Sequence, residues 1–181
     1  MKLFFAILLS TVCSFCFGQS KADSYNISIV FLPSFSSPSK LLIKNTADST
    51  FIDLTIQRKQ GRNLIISDAA FVKKEDLAPL TDFLKAYDFP IKGKADTMAV
   101  HKGSFFKGDT TTIYELYTGA DGVNVYGLLD QNDAIRKFAF WTPQKGSDNH
   151  KLVDILFAIM DSGLKKRESR TYIKALKAYF N

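Results

Sequence analysis

Histidine, cysteine and carboxylate side chains carry much of enzyme chemistry, and this sequence uses the first two sparingly. It holds two histidines, His101 and His150, and two cysteines, Cys13 and Cys16. A transition-metal site gathers three or four such ligands. His101 falls mid-strand in Val100-His101-Lys102. His150 falls near a helix start beside Asp148 and Asn149, and neither histidine has an obvious third ligand or nucleophile nearby in sequence. Both read as surface or helix-end residues, so no metal and no cofactor is expected. The phosphate-binding, dinucleotide-binding, zinc-protease and nucleophile-elbow strings do not occur.

The 18 Asp and Glu residues are more promising in number than in placement. Glycoside hydrolysis needs two carboxyl groups facing each other, at about 5 Å or about 6.5–9.5 Å. Glu75 and Asp76 are adjacent in sequence. Asp121, Asp130 and Asp133 fall in polar turns, where short acids bond their own backbone. Glu115 differs, because it sits inside a strand and shares a face with Ile113 and Tyr117. No residue is assigned a catalytic role.

Binding chemistry has better candidates. Between residues 110 and 142 lie Tyr114, Tyr117, Tyr126, Phe138, Phe140 and Trp141, the last being the single tryptophan. Strand alternation turns Phe138 and Phe140 to one side and Trp141 to the other. If the phenylalanines lie under helices, the tryptophan lies on the open face. Large rigid rings give contact area at small entropic cost, and a neighbouring acid adds orientation more than affinity. Tyr117, Tyr126 and Trp141, with Glu115 as the charged member, are therefore the expected binding surface. A second layer or strand twist covering the same rings is the structural alternative. A second candidate surface is the basic patch Lys165, Lys166, Arg167, Arg170, Lys174 and Lys177, suited to an anionic partner. It contributes to a net charge of +6 over 181 residues.

The start of the chain bears on which partners are available. Lys2, the apolar run Leu3–Leu9 and the small-residue end Cys16-Phe17-Gly18 have the order of a secretory signal peptide. The apolar stretch is short for a membrane span, which needs about 20 residues. Residues 1–18 are expected to be cleaved, leaving 19–181 as one cysteine-free domain in the periplasm or outside the cell. The competing arrangement keeps Cys13 as a lipid anchor after Leu9-Ser10-Thr11-Val12, where Val12 is bulkier than such a site prefers. Export argues against nucleic acid as partner.

The elements that must position these residues follow from periodicity. Tyr25–Leu32, Lys40–Lys44, Phe51–Arg58 and Asn63–Ser67 read as strands, with Ile52, Leu54 and Ile56 alternating against Asp53, Thr55 and Gln57. Leu77, Leu80, Leu84 and Tyr87 recur at helical spacing across Lys73–Tyr87, with Pro79 delaying the regular helix to about Ala78. Four strands follow. The last three, around 110–118, 123–129 and 134–142, read as a meander with a tight turn at Asp121-Gly122 in which Gly122 takes a positive φ, and a looser turn near Asn132. Ser147 or Asp148 caps a strongly apolar helix stopped at Asp161-Ser162-Gly163, and a final helix starts near Glu168. Strands segregated from helices predict an α+β fold: an antiparallel sheet, flat or strongly curled toward a half-barrel, with helices on one face and two helices at the C-terminal end.

Three function classes fit this reading. The first is an exported, non-catalytic binding protein, of inhibitor or immunity type, acting on an envelope protein or anionic polymer. The others are an envelope accessory or structural protein and a small carboxylate-dependent glycan hydrolase.

Overall fold

The computed structural model describes residues 24–60, 62–87, 89, 98–103, 111–116 and 121–181, with the strands at 98–103 and 111–116 described by their backbone. The expected leader, its cut after Gly18, and Cys13 and Cys16 lie outside the described residues. The elements in chain order are β1 (Tyr25–Pro33), β2 (Ser39–Asn45), β3 (Thr50–Gln60), β4 (Arg62–Phe71), α1 (Lys74–Ala86), β5 (Met98–Gly103), β6 (Thr111–Leu116), β7 (Val123–Gln131), β8 (Ala134–Trp141), α2 (Asp148–Gly163) and α3 (Arg167–Lys177).

The fold is α+β. Six strands form an open antiparallel sheet in the order β4-β3-β2-β1-β7-β8, and β5 pairs with β6 separately. The helices pack on one face. Register places side chains on that face in rows. Ile52, Ile43, Ile27 and Leu129 lie side by side across four strands, and Leu54, Leu41 and Ile29 form the next row. These seven side chains are fully buried against Leu77, Leu80 and Leu84 of α1 and Leu152, Leu156 and Met160 of α2. The second row continues through Gly127 to Phe138. There the phenyl ring occupies the space a Cβ on Gly127 would need.

Several local features depart from the expectations above. The meander of β6, β7 and β8 does not form. β7 lies between β8 and β1, while β6 pairs with β5. The nine-residue match of β1 with β7 explains the choice, since it sets Val125 beside Phe31 and Leu129 beside Ile27 on the buried face. Helix α1 starts at Lys74, and Pro79 sits inside it. The missing Pro79 N–H would have met the Glu75 carbonyl, in an exposed first turn where water can replace it. β4 runs to Phe71 because it follows β3 along its full length. Helix α2 ends at Gly163, within the expected stop, and a Cβ there would strike Ile52 and Val72.

The turns are reversed in character. Among the described residues the one glycine with positive φ is Gly146 (82°), so Gly122 has none. Gly122 is required because the Trp141 indole and the Thr142 hydroxyl fill the space beside it. The tight turn is instead Asn132-Asp133, with φ of 54° and 60°, closing the Gln131–Ala134 pair.

Candidate binding face

The sheet face away from the helices is built by the residues that alternate with the core. Along one row across all six strands lie Phe71, Phe51, Lys44, Asn26, Asp130 and Ile135. The next holds Ala69, Asp53, Leu42, Ser28, Leu128 and Lys137, and the third holds Ser67, Thr55, Lys40, Val30, Tyr126 and Ala139. Ile65 and Gln57 share one end of the last row, while Leu32, Asn124 and Trp141 share the other.

Register therefore brings Tyr126 and Trp141 to the same face, and it is the open one. Their environments differ. Tyr126 is buried with Val30 in a second, small apolar cluster flanked by Leu32 and Ala139. It supports the face from within and presents little contact area. Trp141 is half-buried, lying against Gly122. The backbone of Glu115 pairs with Ala99 in the β5–β6 hairpin, and Tyr117 lies outside the described residues. The four candidates are thus not assembled as one described site.

The exposed apolar groups on this face are others. Phe71 is 78% exposed, Ile135 64%, Ile65 52% and Leu128 37%. Phe71 stands edge-on to Phe51, with ring centroids 5.6 Å apart. Charge around them is mixed and interleaved across the strands: Asp53 on β3, Lys40 and Lys44 on β2, Asp130 on β7 and Lys137 on β8. The Asp53 carboxylate accepts from the Ser67 hydroxyl at 2.9 Å. Phe71 escapes a reading that ends its strand at Ser67, yet Ile135 was legible, since it alternates with Phe138 and Phe140.

Asp130 and Asp133 flank the turn between β7 and β8, and Asp121 lies away from both. Asp121 and Asp130 stand at opposite ends of β7, about 30 Å apart at the strand rise, far beyond the spacing of paired catalytic carboxyls. Glu75 and Asp76 are exposed in the first turn of α1, where the helix dipole favours acids. No group of three or more His, Cys, Asp or Glu side chains able to hold a metal ion occurs among the described residues.

Buried polar groups on the helical side act as fastenings. His150 lies at the helix end as expected but is buried rather than on the surface, and its carboxylate partner is Asp154 rather than Asp148. Its Nδ1 lies 3.0 Å from the Asp154 carboxylate, and its Nε2 lies 3.0 Å from the Phe180 carbonyl. A carbonyl only accepts, so Nε2 carries hydrogen in this contact. Asp148 pairs with Lys151, and the Ser147 hydroxyl caps α2 by accepting from the His150 N–H. The Asp68 carboxylate, also buried, accepts from the Lys166 N–H at 2.9 Å. The Tyr172 hydroxyl donates to the Ser37 carbonyl at 2.9 Å and contacts the Ser39 hydroxyl at 2.8 Å. Burial pushes the Tyr172 phenol well above its ordinary range, against a smaller lowering by Ser39.

The basic patch separates into two groups. Lys165 reaches the Ser162 carbonyl, Lys166 the Ser67 carbonyl and Lys177 the Asp161 carboxylate. Arg167, Arg170 and Lys174 are exposed. Among the described residues no helix is long and apolar enough to cross a membrane. Compared with known proteins, the chain matches no family model, no curated protein and no solved structure.

Proposed function

We propose that this is an exported protein, periplasmic or secreted, that works by binding another envelope protein through the open face of its sheet. The carrying observation is the set of large apolar side chains left in water there: Phe71, Ile135, Ile65 and Leu128. Exposed rings and branched aliphatics set among charges of both signs suit the mixed surface of a protein partner. A polyanion would favour a face of one sign. Tyr126 and its cluster keep the face rigid, and Trp141 borders it.

The test is a titration. A partner retrieved from the native envelope is purified and its affinity measured for the wild type, Phe71→Ser and Ile135→Ser. Both side chains are mostly in water, so the variants keep the fold. A loss of tenfold or more in either variant is expected. Unchanged affinity in both would overturn the assignment of the face. Turnover of an envelope polymer, abolished by replacing one carboxylate, would replace binding with hydrolysis.

A further inference from the structure

Helix α3 has its orientation fixed by its buried residues. Ser169, Tyr172, Ile173 and Leu176 face the core. The opposite side carries Arg167, Arg170, Lys174 and Lys177, at steps of three, four and three, which keeps them in one stripe at 3.6 residues per turn. Glu168, the one acid on the helix, lies to the side of that stripe.

The stripe is largely uncompensated. Lys177 is engaged by Asp161 and lies 5.4 Å over the Phe157 ring. Arg167, Arg170 and Lys174 have no ion-pair partner among the described residues. Like charges three and four residues apart on a helix oppose each other. A ligand that brings negative charge relieves this. Acids elsewhere on the surface show that the chain can neutralise lysines where it does so, as at Lys85–Asp82 and Lys151–Asp148.

We propose that the Arg167, Arg170 and Lys174 stripe of α3 is a second interaction surface, one that binds a linear polyanion laid along the helix. At a rise of about 1.5 Å per residue the three cations are spaced about 4.5 and 6 Å along the axis. A linear polymer bearing repeated phosphate or carboxylate groups can engage all three, because these side chains are long and flexible. Two of the three are arginines, whose planar forks hold either oxyanion through paired hydrogen bonds. A lipid surface is the weaker fit. The apolar side of α3 is committed to the core, and three cations alone attract an anionic membrane only weakly. The stripe belongs to the helical layer, so this surface is separate from the open sheet face and can be tested independently of it.

The probes are inorganic polyphosphate and polyuronate, titrated against the wild type over a range of salt. The test variant is Arg167→Gln, Arg170→Gln, Lys174→Gln. The control is Lys40→Gln, Lys44→Gln, Lys137→Gln, which removes the same charge from the sheet face. The stripe variant is expected to lose at least tenfold in affinity and to flatten the salt dependence by about two to three in log–log slope. The control is expected to stay within about threefold of wild type. Binding of one polymer and not the other identifies the oxyanion. Equal losses in both variants would reduce the effect to net charge and overturn the proposal. Binding to vesicles rich in anionic lipid without binding to either soluble polymer would overturn it as well. Retention of the envelope protein by the stripe variant, and of polyanion by Phe71→Ser, would show the two surfaces to be independent.

Discussion

Tyr172 joins helix α3 to the loop between β1 and β2, and the bond has a pH signature. Its phenol is held in the neutral form by burial, above the value of 10.0 typical of an unfolded chain. Below pH 10 both states are protonated and the full contribution to stability is present. Above it the unfolded chain ionises first, so stability falls as pH rises from 10 toward the folded value. Urea unfolding at pH 8 and pH 11 is expected to show a drop for the wild type and a smaller drop for Tyr172→Phe. At pH 8 the variant should cost about 1–2 kcal/mol, through the Ser37 and Ser39 bonds it loses. Parallel drops in the two proteins would remove Tyr172 as the cause. The helix carrying this tyrosine was readable from the spacing of Tyr172, Ile173 and Leu176. Its hydroxyl partners were not, because they are 133 and 135 residues away in the chain. His150 shows the same limit: Asp154 lies one turn on and was within reach of helical spacing, whereas the Phe180 carbonyl depends on how α2 and α3 dock.

Among the elements, the β7–β8 hairpin is the most instructive. A two-residue turn with both φ values positive has the twist that strands prefer, and it normally selects Asn-Gly. Here Asn132 and Asp133 both hold left-handed conformations. Asp133→Gly is therefore expected to keep or raise the unfolding midpoint. Asn132→Val places a branched side chain in that region and should cost about 1–2 kcal/mol. Equal midpoints for the two variants would show that the turn places no such demand. The position of this turn was misjudged from composition, since Gly119 to Gly122 is richer in glycine than Asn132-Asp133. Glycine at 122 answers instead to the Trp141 ring, a neighbour that no local pattern names. By contrast, the strands β1 to β3, the helix face of α1 and the cap at Ser147 follow from alternation, spacing and side-chain chemistry. Their partners are close in sequence or their apolar faces are unambiguous.

In the assembled molecule, β1 occupies the middle of the sheet, held by β2 on one side and by β7 on the other. The first contact closes a short hairpin. The second joins Tyr25 to Gln131 and Pro33 to Val123, so it closes across more than half of the chain at one end and about half at the other. Long-range pairing of this kind pays its loop entropy before any reward and is slow. The apolar face shared by β1, β2 and β3 also needs α2, which comes later still. A chain truncated after Asp121 is accordingly expected to melt without a cooperative transition in calorimetry. A sharp transition would show that β1 to β6 and α1 suffice without β7, β8, α2 and α3. During synthesis the consequence is one of timing. The β1 edge that pairs with β7 stays open until β7 is made. An unpaired strand edge is a template for mispairing over that interval.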